Sequence, residues 1–330
     1  MLELNIVAYN KAIHASVRGR RLEVALGLFG EVFCRRLEPT LVTYNTTISA
    51  CEKSGNAELA LRLLRELQTR QLKPDIISYN SVASACEKAL RPDDAIRLLR
   101  EARSQGLTPD RITYNAIISA CEKAGRVEDA LAMFQELRSS ALEPDIISYS
   151  AAITACEKAL WWRSALDILR DMLQSRISLD VACCTSVASA CAVGGLWEVA
   201  AGLLVDVERS RIMSNSCAYN SVLDAYGRCQ RWPELLSLLD VMCWKQVSPD
   251  AVSYGSAVSG ATSASAWAVA IALLRNAMQL SVAPSMSIFS ELLSAAANGH
   301  RLDRVVAEGL LRQLLGASAS PWASAPASAP

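Results

Sequence analysis

The sequence predicts an all-α protein, a right-handed superhelical solenoid of stacked helix–turn–helix repeats, and three observations lead there. A tyrosine recurs at Tyr44, Tyr79, Tyr114 and Tyr149, always 35 residues apart. It sits inside the near-identical strings TYNTTISACEKSG (43–55), SYNSVASACEKAL (78–90), TYNAIISACEKAG (113–125) and SYSAAITACEKAL (148–160). A fixed period of that size marks an array in which each repeat buries its apolar faces against its neighbours. Within the period two apolar stripes run at helical spacing, and the period closes on a stop such as LKPD (72–75), LTPD (107–110) or LEPD (142–145).

Taken in order, residues 1–5 are a lead-in. Repeats then begin at Ile6, Leu41, Ile76, Arg111, Ile146, Val181, Ser216, Ala251 and Met286, and the array runs to residue 315 without insertion or deletion. A 34-residue tetratricopeptide period would drift out of phase along such a chain, and its Trp-Leu-Gly-Tyr pattern is absent. In the second repeat Tyr44, Ile48 and Cys51 fall at i, i+4 and i+7, the stripe of a first helix. Gly55-Asn56 supplies a turn, and Leu61, Leu64 and Leu67 form the stripe of a second helix. Ala25, Ala60, Ala95, Ala130, Ala165, Ala200 and Ala270 recur at one place on that helix, where a methyl lets neighbouring helices approach closely. Proline in the closing stop forbids further helix. First helices are expected to line one wall and second helices the other. Trp162, Trp197, Trp232 and Trp267 keep the same period at the start of the second helix, where packing is their expected role. The tail GASASPWASAPASAP (316–330) has no period and the composition of a disordered segment.

Composition narrows the function. The chain is 52% hydrophobic with no apolar run of the length a membrane span needs, so a soluble helical protein is expected. Its 33 Lys and Arg balance 33 Asp and Glu, so any polyanion must be met by charge concentrated on one face. Eleven cysteines suggest disulfides at first sight, but Cys51, Cys86, Cys121, Cys156 and Cys191 follow the period. Stacked helices lie too far apart for such residues to bridge. They read as small buried apolar groups in a reducing compartment. His14 and His300 are the only histidines and no CxxC or HxE pattern occurs, so no metal, cofactor or catalytic residue is expected. The first repeat starts within ten residues of Met1, which leaves no visible secretory signal or organelle presequence.

The 35-residue repeat, its opening [VI]-[TS]-Tyr-Asn, its alanine at the twentieth place and its closing Pro-Asp resemble the pentatricopeptide repeat family, of the uniform 35-residue type. The likeness covers residues 6 to about 315 and is strongest in the second to fourth repeats. It implies sequence-specific binding of single-stranded RNA, one base per repeat. The resemblance further implies a protein without enzymatic activity that works in organellar RNA processing, stability or translation. Chloroplast or mitochondrion is then the location, the chloroplast preferred, with an RNA-processing factor as a further, recruited partner. No membrane and no small-molecule substrate belong to this reading. A protein-binding helical scaffold is the alternative.

In that family the fifth and last residues of a repeat read the base. Here the pairs are Asn10 with Thr40, Asn45 with Asp75, Asn80 with Asp110, and Asn115 with Asp145, then Ser150 with Asp180, Thr185 with Asn215, and Asn220 with Asp250. Gly255 with Ser285 and Ser290 with Ser320 match nothing informative. The chemistry is consistent: an acceptor-only Asp suits the ring N–H of uracil or guanine, and an Asn amide can donate to the bare ring nitrogen of adenine or cytosine. A bulky fifth residue leaves room for a pyrimidine and a short one for a purine. The array then reads 5′-(C/U)UUUGAU-3′. The competing explanation is local: Asn begins the first helix and Pro-Asp ends a turn.

Two further places support the resemblance. The second residue, which in the family clamps the base, is Val7, Val42, Ile77, Ile112, Ile147, Ala182, Cys217 and Val252. The thirteenth is Arg18, Lys53, Lys88, Lys123 and Lys158, then Val193 and Arg228. The basic residues of this row are the expected phosphate contacts. A solvated charge row accompanied by Glu52, Glu87, Glu122 and Glu157 is the simpler alternative.

Overall fold

The computed structural model describes residues 5–140, 142–175, 177, 180–209, 216–263 and 266–279. Over these residues the chain forms sixteen helices and divides into two compact parts, residues 1–178 and 179–330. The first part holds α1 (Ile6–Arg18), α2 (Leu22–Cys34), α3 (Leu41–Ser54), α4 (Ala57–Thr69), α5 (Ile76–Lys88), α6 (Pro92–Ser104), α7 (Arg111–Lys123), α8 (Val127–Ser139), α9 (Ile146–Lys158) and α10 (Trp162–Gln174). The second holds α11 (Val181–Val193), α12 (Trp197–Arg209), α13 (Ser216–Arg228), α14 (Trp232–Trp244), α15 (Ala251–Ser263) and α16 (Trp267–Gln279). Every odd-numbered helix begins on the residue where the sequence begins a repeat. The ninth repeat, from Met286, and the tail 316–330 lie outside the described residues.

The helix starts follow from capping. An extended residue precedes each odd helix of the first part, and its side-chain oxygen accepts a backbone N–H three residues on. Asn5 takes that of Ala8 at 3.0 Å, Asp75 that of Ser78 at 2.8 Å, Asp110 that of Thr113 at 2.9 Å and Asp145 that of Ser148 at 3.0 Å. Asp180 does the same for Cys183 at 2.7 Å and Asp250 for Ser253 at 2.9 Å. At Thr40, Asp75, Asp110 and Asp145 the third residue's hydroxyl accepts the cap's own N–H, which completes a capping box. Each such cap contributes about 1 kcal/mol over alanine. The turn into each even helix needs a left-handed residue. Gly55, Gly125 and Gly195 supply it at φ near +70°, while Leu90 and Leu160 hold the same place at +55° and +62° against the preference of a side-chain-bearing residue.

Packing is asymmetric. Within each part an odd helix packs on its own even partner, on the even helix before it and on the next odd helix. No two even helices bring Cα atoms within 8 Å of each other among the described residues. First helices therefore make a continuous wall, whereas second helices meet one another through side chains alone, as in the Arg138–Asp171 ion pair at 2.8 Å. The close approach permitted by Ala60 and its equivalents is an approach to first helices. The core follows the first-helix stripe as expected, with Tyr44, Ile48 and Cys51 fully buried. On α4 the buried leucines are Leu63, Leu64 and Leu67, and Leu61 is only half-buried. The stripe on α4 is rotated by two residues at its start, because α4 faces two first helices rather than one.

The tyrosines also tie each pair together. Tyr44 donates to Glu66 at 3.0 Å, Tyr79 to Glu101 at 3.1 Å, Tyr114 to Glu136 at 3.5 Å and Tyr149 to Asp171 at 2.9 Å, first helix to second in every case. A buried hydroxyl is thereby satisfied where its absence of a partner would be costly.

In the second part α13 and α15 meet on glycine. A methyl at Gly260 would sit 2.6 Å from the Cα of Gly227, whereas the same place is Ala50, Ala85, Ala120 and Ala155 in earlier repeats. Restoring that alanine by Gly260→Ala should cost about 1–3 kcal/mol through overpacking. It should appear as an earlier unfolding transition in urea, monitored by circular dichroism; an unchanged transition would mean the helices can part at no cost.

Candidate nucleic-acid interface

Helical geometry puts the second, fifth and thirteenth residues of a first helix on one stripe, opposite the buried Tyr-Ile-Cys stripe. The second-place residues are exposed in all eight repeats. The large ones, Val7, Val42, Ile77, Ile112, Ile147 and Val252, range from 52% to 63% exposed, and Ala182 and Cys217 are exposed as well. A row of bare β-branched side chains contributes nothing to the core.

The fifth and last residues come together across 30 residues of chain. Asn45 Nδ2 donates to Asp75 Oδ1 at 3.1 Å, and Asn115 Nδ2 to Asp145 Oδ1 at 3.0 Å. Asn80 Nδ2 lies 3.1 and 3.0 Å from the two carboxylate oxygens of Asp110. Asn220 Nδ2 donates to Asp250 Oδ1 at 3.1 Å in the second part. These asparagines stand in the second turn of their helices, so they do not begin them. The aspartates do begin helices, each capping the following repeat, and they hold the asparagine of the preceding repeat as well. Arg111 adds an ion pair to Asp145 at 3.1 Å.

Burial alone would raise the carboxyl of Asp75, but the N–H and hydroxyl of Ser78 and the amide of Asn45 outweigh it and hold the group below its ordinary value. The same contest gives the same direction at Asp145, with Ser148 and Asn115, and at Asp250, with Ser253 and Asn220. These side chains are acceptor-only at neutral pH.

The remaining pairs differ. No hydrogen bond joins Asn10 to Thr40; the Thr40 hydroxyl pairs with that of Thr43 at 3.1 Å, and Asn10 Oδ1 is buried without a partner. Ser150 is half-buried on α9, and Asp180 caps α11. Thr185 donates to the Val181 carbonyl of its own helix at 2.6 Å, and Asn215 lies outside the described residues.

The thirteenth-place row is not a stripe of free cations. Lys88 Nζ pairs with Glu52 at 3.1 Å, Lys123 with Glu87 at 2.7 Å and Lys158 with Glu122 at 2.5 Å, each lysine reaching the twelfth residue of the repeat before. Stacking sets the thirteenth residue of one first helix beside the twelfth of its predecessor, so the row neutralises itself. Lys53 and Arg18 are exposed without an ion pair among the described residues; the residue that would answer Lys53 is Val17. Arg228 pairs with Asp224 on its own helix at 2.8 Å.

Sequence reasoning missed three sets of residues. Glu66, Glu101, Glu136 and Asp171, the tyrosine partners, looked like ordinary solvent-facing positions of amphipathic helices. The partner of each lysine was mistaken for a mere companion. The hydroxyls of Ser78, Thr113, Ser148 and Ser253, buried beside the Asn–Asp pairs, carried a signal that went unused: they open every well-matched repeat. The periodic cysteines are free and buried, as expected, and burial pushes the thiols of Cys51, Cys121, Cys156 and Cys191 up to about 11. Among the described residues no cluster of His, Cys, Asp and Glu is fit to hold a metal, and no helix is long and apolar enough to cross a membrane.

Family models match in an overlapping series: the PPR repeat family at 39–88, 74–121 and 109–158, the pentatricopeptide repeat domain at 2–54 and 167–229, and the PPR repeat at 147–177 and 217–247. The chain belongs to the pentatricopeptide repeat family. No curated protein matches it. Among solved structures, the pentatricopeptide repeat protein PPR10 in complex with an 18-nt psaJ RNA element aligns with TM-score 0.75 at 20% identity, over 96% of this chain and 46% of that one. A triple cysteine-to-serine variant of PPR10 in the same kind of complex gives the same values. PPR10 from maize aligns with TM-score 0.41 at 18% identity, over 97% of this chain and 60% of that one. The chain thus spans about half the length of PPR10 in its RNA complexes and shares its fold of paired helices.

The depressed carboxyls fix a pH dependence. Because their folded values lie below the unfolded one, the unfolded chain binds more protons in between. The stabilisation is complete above the ordinary Asp value of about 3.9 and is lost as pH falls through the folded values. Urea titrations at falling pH should show this loss, and the triple variant Asp75→Asn, Asp145→Asn, Asp250→Asn should flatten it. An equal acid sensitivity in the variant would show that these carboxylates are not the groups responsible.

Proposed function

We propose that this pentatricopeptide repeat protein binds single-stranded RNA sequence-specifically, one base per repeat, and acts by occupying its RNA rather than by catalysis. The observation that carries the reading is the side-by-side placement of Asn and Asp from neighbouring repeats, four times over, each followed two residues on by an exposed residue of the clamp row. Uracil presents a ring N–H between two carbonyls. At Asp75 the carboxylate oxygen that Asn45 leaves alone can accept that N–H. At Asp110, Asp145 and Asp250 the base's N–H would share an oxygen already held by Asn80, Arg111 or Asn220, and the second amide proton of each Asn can donate to a carbonyl. The exposed valines and isoleucines offer apolar faces to the rings. PPR10 was solved with RNA, and this chain has its fold.

The target that the pairs specify is 5′-(C/U)UUUGAU-3′. Ser150 with Asp180 supplies the G and Thr185 with Asn215 the A. The setting is organellar RNA processing, stability or translation, in the chloroplast before the mitochondrion, with an RNA-processing factor as the partner such a bound protein would recruit. A random-library selection with the full chain should return this consensus. Replacing Asn80 with Ser, which makes room for a purine and keeps the Asp110 acceptor, should turn the third base from U to G. A wrong base should cost about 1–3 kcal/mol in competition binding, by analogy with DNA readout. A selection without any U-rich consensus would decide for the protein-binding scaffold.

The paired lysines make a quantitative statement about salt. With Arg18 and Lys53 as the free cations of the row, log K should fall with log salt at a slope of roughly −1.4, at about −0.7 per phosphate contact. Releasing the three lysines with Glu52→Gln, Glu87→Gln and Glu122→Gln should tighten binding and steepen the slope to roughly −3.5. If the slope stays the same, the lysines do not face the phosphates.

A further inference from the structure

The buried hydroxyl that opens each well-matched repeat stands beside the reader of the repeat before it. Ser78 Oγ lies 2.6 Å from Asn45 Oδ1, Ser148 Oγ 2.6 Å from Asn115 Oδ1 and Ser253 Oγ 2.6 Å from Asn220 Oδ1, and Thr113 makes the same bond to Asn80. The hydroxyl accepts the N–H of the capping aspartate, at 3.3 Å for Ser78, which aims its single proton back toward the carboxylate and the amide oxygen. With Oδ1 held on one side and Nδ2 held by the aspartate on the other, the amide cannot rotate. Its remaining N–H then points in one fixed direction.

The sequence follows the same rule beyond these four cases. Wherever the fifth residue is Asn, the third residue of the next repeat is Ser or Thr: Asn10 is followed by Thr43, Asn45 by Ser78, Asn80 by Thr113, Asn115 by Ser148 and Asn220 by Ser253. Wherever the fifth residue lacks an amide, the hydroxyl is missing: Ser150 is followed by Cys183, Thr185 by Ala218 and Gly255 by Ile288. A hydroxyl kept only for helix capping would have no reason to track a residue of another helix. The exception in geometry is informative. Thr43 turns to Thr40, which is not a carboxylate, and Asn10 Oδ1 is left buried and unpaired.

We propose that the third-place hydroxyl is a positioning residue for specificity: it fixes the amide of the preceding repeat's asparagine, so that each base is read by a triad drawn from two repeats. The proposal rests on the RNA-binding reading for its effect on specificity, though not for its effect on the amide. Because the triad crosses a repeat boundary, a change at Ser78 should alter the second base, read by Asn45, and leave the third base, read by Asn80, as it was.

The test uses the full chain and seven-base RNAs of the proposed target in which the second or the third base is varied. Ser78→Ala should reduce the preference for U over C at the second base by about tenfold and leave third-base preference intact, while Ser78→Thr should keep both. In the free protein, exchange of the Asn45 side-chain amide protons should be severalfold faster in Ser78→Ala than in wild type or Ser78→Thr. Unchanged amide exchange would overturn the proposal whatever the RNA does. Unchanged second-base preference, in a protein where Asn80→Ser still switches the third base, would overturn the specificity role and leave the function standing. Absence of RNA binding by the wild-type chain would remove the function and that role together, whereas the amide result would still decide the positioning.

Discussion

Where a repeat ends in aspartate, one carboxylate holds the junction together. The last-place aspartate caps the coming helix, and so fixes where the next repeat begins. With its other contacts it grips the asparagine of the helix behind, and so fixes how two first helices sit against each other. Helix register, repeat stacking and the geometry of the Asn–Asp pair are therefore consequences of a single group. The hydrogen bonds that serve all three also keep that group ionised against the pull of burial. A capping residue with less reach, such as Thr40, starts its helix equally well and leaves the asparagine behind it unheld.

Much of this was legible before any coordinates. Helix starts were readable because a cap, a preceding proline and an apolar stripe all agree at the same residue, and eight odd helices begin where the period places them. Burial of Tyr44, Ile48 and Cys51 was readable because those residues repeat at helical spacing. What escaped was contact between helices. Lys88 and Glu87 are neighbours in sequence, yet on the helix they diverge, and each finds its partner 36 residues away. The glutamates that receive tyrosine protons escaped for a related reason: a carboxylate at the edge of an amphipathic face looks the same whether it meets water or a hydroxyl. Leu61 and Leu63 were exchanged because a second helix faces two first helices, and a single stripe cannot represent both.

The second compact part shows the same frame with substituted fittings. Two of its first helices, α13 and α15, come together on glycine instead of on alanine, and its ladder of acid and base gives way to pairs within one helix, such as Arg228 with Asp224. Tyr219 donates to Glu208 of the helix before it at 2.7 Å. Asn220, Asp250 and Ser253 nevertheless reproduce the Asn–Asp–hydroxyl geometry of the first part. The packing around this cluster can therefore be exchanged while the cluster itself keeps its shape.

The Lys–Glu ladder has a consequence for how such a chain grows. Each middle repeat offers a glutamate forward and a lysine backward, so a duplicated copy inserted between two others finds both partners waiting and leaves no charge orphaned. The joint is complete however many copies stand in line. Growth stops being neutral only where Val17 and Val193 take the places of a glutamate and a lysine. Between those two valines, the number of repeats in a descendant can change by whole steps, through recombination between near-identical strings, without any compensating mutation at the seam.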